Sequence, residues 1–248
     1  MGRVFCVANQ KGGVGKTTTA VNLAVALAKS RFRTLLVDLD PQCNATTGLG
    51  GAPTLRHPLA EGTPLKRAIA PTQVAGLELL PGSRSYRDVE ALAREDQPQA
   101  ERLRHDLISG LGGYDFVLID CPPSLGQLTR TALASSTEVL MPIQCEYFAM
   151  EGLAQMIEVI RGVMDTQPRN LQFGGIVLTM YDHLLELTRE VEQEVRDFFG
   201  EIVFETVIPR DVHVSEAPSH GQSVIEYSPR CRGARAYIEL CKEVVENE

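Results

Sequence analysis

Apolar runs of four to seven residues alternate with longer stretches of helical period along most of the chain. Residues 4–8, 33–37, 76–80, 115–120, 138–143, 173–179 and 206–210 read as strands. Residues 19–29, 125–135, 186–199 and 233–245 read as helices, and a further long helix follows 145–152. Apolar positions at Val89, Leu92, Ala93, Leu103, Leu107 and Ile108 predict two more helices between 86 and 111, broken near Pro98. The Gly-, Pro- and Thr-rich stretch 48–75 predicts a surface excursion with short helical turns. Continuous apolar strands such as Phe116-Val117-Leu118-Ile119 are buried on both faces, the mark of a parallel sheet. The alternation therefore predicts an α/β fold: a doubly wound, mostly parallel sheet with helices on both faces, in a single domain spanning 1–248.

Between the first strand and the first helix lies Asn9-Gln10-Lys11-Gly12-Gly13-Val14-Gly15-Lys16-Thr17-Thr18. A strand, a glycine turn and a helix in that order make a phosphate-binding loop. Glycines let backbone N–H groups turn inward, and the helix N-terminus adds partial positive charge. Lys16 then reaches the β- and γ-phosphates, and the Thr17 hydroxyl ligates Mg²⁺. Gln10 stands where the usual pattern opens with glycine, and a second lysine, Lys11, heads the glycines. Two acidic stretches sit past other buried strands. Asp38 and Asp40, in Asp38-Leu39-Asp40-Pro41-Gln42, either hold a metal or cap a turn before Pro41. Asp120 ends the strand at 115–120, where ligands of open α/β sheets collect.

The stretch 11–18 resembles the deviant Walker A motif, KGGxGKTT, of the ParA/MinD family of dimerising ATPases, whose fold is of the P-loop NTPase type. The resemblance implies that Lys11 reaches across a dimer interface to the partner's phosphates, completing the cradle of Gly12, Gly13, Val14, Gly15, Lys16, Thr17 and Thr18. Residues 38–42 resemble the family's DxDPQ switch, which implies that Asp40 positions the attacking water while Asp38 supports the metal's water shell. Residues 115–124 resemble Walker B and switch II, placing Asp120 on the Mg²⁺ shell with Thr17 and Asp40. Residues 145–152 are similar to the segment entering a helix near the dimer interface, with capping and core packing as the other reading. Thr179 and Pro209 match positions bordering the adenine ring. Ser215-Glu216-Ala217-Pro218-Ser219-His220-Gly221 resembles the chromosomal ParA/Soj branch.

That branch implies a slow Mg·ATP-dependent switch that dimerises with ATP, binds DNA non-specifically and is released by a ParB-like partner during DNA partition. The alternative is an ATPase that positions a protein assembly or division site without DNA as its track. A nucleotide-binding scaffold without turnover is disfavoured by the intact Asp40 and Asp120. Charge placement bears on the choice. Of 24 basic and 32 acidic residues, seven basic and 15 acidic fall after Met180, so the whole excess of −8 lies in that third. Leu184 and His213 stand where DNA-binding relatives carry basic residues. The basic cluster that remains is Arg230, Arg232 and Arg235, the expected DNA contacts, with Arg189, Arg196, Arg210 and Lys242 around it; pairing with nearby glutamates is the competing reading.

With 44% hydrophobic residues the chain can bury a substantial core, yet no run of about 18 apolar residues occurs. The start lacks the charged and apolar regions of a signal peptide, so a cytoplasmic setting is expected, at the nucleoid if the resemblance holds. Residues 233–245 carry an apolar stripe, but Glu239, Lys242, Glu243, Glu246 and Glu248 make the other face acidic, which predicts packing on the sheet and no membrane contact. Six cysteines form no CxxC and show no ligand-like spacing with the five histidines. They read as reduced thiols, with Cys6, Cys121 and Cys145 filling the core.

Overall fold

Burial on both faces of the central strands builds the sheet expected from the apolar runs. The computed structural model describes residues 2–58, 60, 63–93, 105, 113–147, 149–166 and 171–247. Strands Arg3–Val7 (β1), Thr34–Asp38 (β2), Ala70–Pro71 (β3), Leu77–Leu80 (β4), Phe116–Asp120 (β5), Glu138–Gln144 (β6) and Gln172–Thr179 (β7) lie in the order β3-β4-β2-β5-β1-β6-β7. Among the described residues β3 alone runs antiparallel, against β4; the other pairings are parallel. All five residues of β2 and all five of β5 are buried. Their register sets Asp38 beside Asp120, and Val7 of β1 beside Asp120 on the other side. The loops after β1, β2 and β5 thus open at the same end of the sheet, where a parallel sheet presents its ligand site.

Helix Lys16–Lys29 is buried at every position from Thr19 to Ala28, which explains why its sequence is so rich in Ala, Leu and Val. The closing helix, Arg232–Glu246, buries Ala234, Tyr237, Leu240, Cys241 and Val244. It packs on helix Lys16–Lys29, and its buried residues join one core cluster with Phe5, Leu140 and Val177 of the sheet, as its stripe predicts. The Tyr237 hydroxyl lies 3.4 Å from that of Thr19, and Cys241 Sγ lies 3.9 Å from Ser30 Oγ. No helix among the described residues is long and apolar enough to cross a membrane.

Other differences from the sequence reading have physical causes. The expected strand 206–210 forms only an isolated bridge, Tyr181 to Pro209, and a second bridge, Ile176 to Val203, lies just before it. Between those bridges Glu243 of the closing helix intervenes: its carboxylate accepts the backbone N–H groups of Glu205 and Thr206, each at 2.8 Å, and the Thr206 hydroxyl. The Thr206 donor is thereby lost to β7, while the N–H groups of Phe204 and Ile208 still donate to the Ile176 and Leu178 carbonyls, so the ladder is interrupted. A second irregularity, the register shift in β6–β7 at Val139/Leu140, lies beside Gly175, at φ 140°. A Cβ there would lie 2.2 Å from the Phe204 ring, so only glycine fits. Among its described residues the excursion 48–75 contains one short helix, Leu65–Ala68, and supplies β3. Helix Tyr86–Ala93 is present; the second expected helix, with Leu103, Leu107 and Ile108, lies outside the described residues.

Glu243→Ala strips three donors of one charged acceptor. Unfolding in urea is expected to show a loss of about 1–2 kcal/mol, because hydrogen bonds to a charged group are worth roughly twice neutral ones. Glu243→Gln should recover part of it.

Candidate nucleotide site

The glycine loop takes its shape from two left-handed residues, Gly13 at φ 79° and Gly15 at φ 88°, the second immediately before the helix. Side chains from elsewhere hold it. Asn9 donates through Nδ2 to the Pro142 carbonyl at 2.8 Å, and its Oδ1 accepts the Lys11 N–H at 3.0 Å. The Thr179 hydroxyl donates to the Val14 carbonyl at 2.8 Å. Lys16 is buried and donates to the Lys11 carbonyl at 2.9 Å, so its ammonium lies folded across the mouth of the loop. Burial lowers its pKa, and the charges of Asp120 and Asp40 act in the opposite direction.

Three carboxylates converge on the same end of the sheet. Asp38 is fully buried. Its Oδ2 accepts the N–H and the hydroxyl of Thr46 at 2.8 and 2.6 Å, and its Oδ1 accepts the Asp40 N–H at 3.2 Å. Burial raises its pKa to about 6 despite the hydrogen bonds from Thr46. Asp38 therefore shapes the switch loop, and its oxygens are already engaged. Asp40 is buried too, and its Oδ1 accepts the Gln42 N–H at 2.8 Å. Asp120 differs from both: neither carboxylate oxygen has a hydrogen-bond partner. Burial and then the charge of Asp38 push its pKa well above the ordinary value; Thr17 acts in the opposite direction without completing a bond of good geometry. An orphaned buried carboxylate beside a hydroxyl and a second acid is the hard-oxygen donor set that suits hydrated Mg²⁺.

The structure brings Gly12, Gly13, Val14, Gly15, Lys16, Thr17 and Thr18 together with Asp40 and Asp120. Beside the loop a cavity of about 220 Å³ is lined by Gly15, Thr18, Thr179, Pro209, Arg210 and Asp211, among others. Thr179 and Pro209, expected at the base, both border it. Lys11 behaves differently from Lys16. Its ammonium pairs with Glu146 at 2.5 Å, the two side chains being 40% and 47% exposed. Cys145 and Ala149 flanking Glu146 are buried while Tyr147 is exposed; Phe148 lies outside the described residues. Arg230, Arg232 and Arg235 are not in this site: they are exposed around the start of the closing helix, beyond Asp211.

Residues 2–173 match the AAA domain family. The chain is 44% identical over 253 residues to the chromosome partitioning protein ParA of Caulobacter vibrioides (strain NA1000 / CB15N), covering 99% of this chain and 95% of that protein. It is 43% identical over 252 residues to the sporulation initiation inhibitor protein Soj of Bacillus subtilis (strain 168), covering all of both. The chain belongs to the ParA/Soj family. Among solved structures, cobyrinic acid a,c-diamide synthase from Mycobacterium smegmatis, with bound ATP analog and magnesium, superposes with a TM-score of 0.84 at 33% identity, over 99% of this chain and 95% of that one.

Within this ParA/Soj chain, several residues that build the site escape a sequence reading. Asn9 and Thr46 hold loops through contacts 133 and eight residues away. Asn22 accepts the Val224 N–H at 2.8 Å, tying the nucleotide helix to the segment before the closing helix. Only a polar residue inside an otherwise apolar stretch, as with Asn22, signals such a role.

Asp120→Asn removes a buried carboxylate that accepts no hydrogen bond. The ligand-free variant is expected to melt at or above the parent temperature, while the rise in melting temperature produced by Mg²⁺ with ADP shrinks or disappears. Differential scanning calorimetry with and without ligand reads both.

Proposed function

We propose that this ParA/Soj-type ATPase is an ATP-timed dimer switch that partitions chromosomal or plasmid DNA, hydrolysing ATP slowly until a ParB-like partner stimulates it. The observation that carries the reading is the meeting of Lys16, Thr17, Asp40 and Asp120 at one sheet end, with Lys11 held apart from them. Mg²⁺, when bound with ATP, neutralises charge on the phosphates and orients them. Gly12, Gly13, Val14, Gly15 and Thr18 form the backbone cradle, and Lys16 swings from the Lys11 carbonyl to the β- and γ-phosphates. Thr17 and Asp120 hold the metal shell, Asp40 orients the attacking water, and Thr179 and Pro209 border the base. Such chemistry is mostly positioning and charge neutralisation.

Lys11 acts in trans in this reading. Its pairing with Glu146 leaves it near the surface, where a second copy can receive it. ATP then favours the dimer and hydrolysis dissolves it. The DNA-facing residues we assign are Arg230, Arg232 and Arg235. All three are exposed and have no acidic partner among the described residues, whereas Arg196 pairs with Glu192 at 2.9 Å and Lys242 with Glu239 at 2.8 Å. The glutamates along helix Glu186–Phe199 line a separate groove with Met150 and Phe198; that acidic face suits a cationic segment of the partner protein. In this reading the protein works in the cytoplasm, at the nucleoid, as one domain over 1–248.

The deciding measurement is DNA retention against salt with ADP, with ATP, and with ATP for Lys16→Ala. Retention only with ATP, lost in the variant and falling with salt by about 0.9 in log–log slope per phosphate contact, supports the reading. Replacing Arg230, Arg232 and Arg235 by Glu should abolish it. ATP-driven dimerisation without DNA retention at low salt would instead favour a positioning ATPase with a protein track.

Glu146→Gln releases Lys11 in both halves of a dimer. An exposed pair is worth about 0.2–1 kcal/mol, so the ATP-dependent dimerisation constant is expected to rise, by up to about thirtyfold, in analytical ultracentrifugation.

A further inference from the structure

Asp211, His213 and Cys231 come from two separate segments, yet their donor atoms all lie within 4.8 Å of one another. Asp211 Oδ1 lies 2.9 Å from His213 Nδ1 and accepts the His213 N–H at 3.0 Å, while Oδ2 accepts the Gly233 N–H at 3.0 Å. Cys231 Sγ accepts the Ala234 N–H at 3.3 Å. Asp211 caps helix Val212–Glu216 and Cys231 caps the closing helix, so both side chains are held in place by backbone. The Asp211 side chain is 7% exposed and that of His213 is 44% exposed, which leaves the trio open to solvent on the imidazole side.

We propose that Asp211, His213 and Cys231 form a binding site for a borderline-soft divalent cation of the zinc type, with water as the fourth ligand. One oxygen, one nitrogen and one sulfur donor make a mixed set; a thiol excludes the hard cations Mg²⁺ and Ca²⁺ as natural occupants, and three protein ligands plus water is a familiar zinc arrangement. Binding exchanges protons without moving electrons. The thiol proton leaves to solvent, the proton that His213 Nδ1 shares with Asp211 Oδ1 passes to Nε2 so that the Nδ1 lone pair is freed, and the carboxylate is already ionised. Carboxylate and thiolate cancel the two charges of the ion, so a filled site is neutral beside Arg210, Arg230 and Arg232.

The location gives the ion a consequence. Asp211 and Arg210 line the 220 Å³ cavity beside the glycine loop, and Cys231 stands between Arg230 and Arg232. An ion here pins the wall of that cavity to the first turn of the closing helix.

The test uses the full chain, stripped of metal and free of nucleotide, titrated with Co²⁺ as a spectroscopic probe and then with Zn²⁺. The expected result is one ion per chain with a thiolate-to-cobalt charge-transfer band, displaced by Zn²⁺, and a rise in melting temperature with Zn²⁺. Cys231→Ser should lose the band and the rise; it keeps its fold because serine is itself a favoured N-cap. His213→Gln should weaken binding by about tenfold or more. No thiolate band, or an unchanged Zn²⁺ effect in Cys231→Ser, would overturn the proposal and leave the trio as hydrogen-bonded helix caps only.

Discussion

Lys16 and the carboxylates of Asp38, Asp40 and Asp120 share one water-poor end of the sheet, and their mutual tolerance governs the rest of the site. All four are buried. Asp38 is stabilised by three hydrogen bonds and is thereby tied to the shape of the loop after β2. Asp120 has none, so burial dominates its state and the Lys16 charge and Thr17 offset it only in part. Lys16 is pulled two ways, by burial against its charge and by the acids in favour of it. Such a cluster is held in place by the register of β2 against β5, which sets Asp38 beside Asp120 whatever their repulsion. A ligand that brings a divalent cation and phosphates relieves both signs of misfit at once. Binding energy of that origin is available to favour one conformation over another, which a nucleotide-timed switch requires.

How much of this was legible in the sequence follows from the range of each contact. The glycine loop, the acidic strand ends and most elements could be read, because each depends on residues within a few positions of one another. The segment 206–210 reads as a strand and pairs only in part, because Glu243, some 37 residues on, takes the Thr206 donor. The Asp211, His213 and Cys231 trio is invisible to spacing rules, since its cysteine stands 18 residues from its histidine and in a different segment. Residue types at Lys11 and Glu146 were readable, but their pairing across 135 residues was not.

Net charge likewise misleads when read by thirds of the chain. The acidic excess after Met180 is spread over several elements, with a concentration on helix Glu186–Phe199, while Arg230, Arg232 and Arg235 gather at the start of the closing helix without acidic partners among the described residues. Screening at physiological salt acts over about 8 Å, so a local basic cluster keeps its own field beyond that distance from the acids. The linear count gives only one sum and hides this grouping.

The weakness of the Lys11 to Glu146 pair is itself informative. Both side chains are close to half exposed, so breaking the pair costs about 1 kcal/mol at most. A buried pair would cost about 3–5 kcal/mol to break, and two of them per dimer would consume much of the association energy. A surface pair keeps Lys11 away from the carboxylates of its own subunit without competing seriously with a triphosphate across an interface. In the trans role proposed for Lys11, the choice between its two partners would be made by the nucleotide.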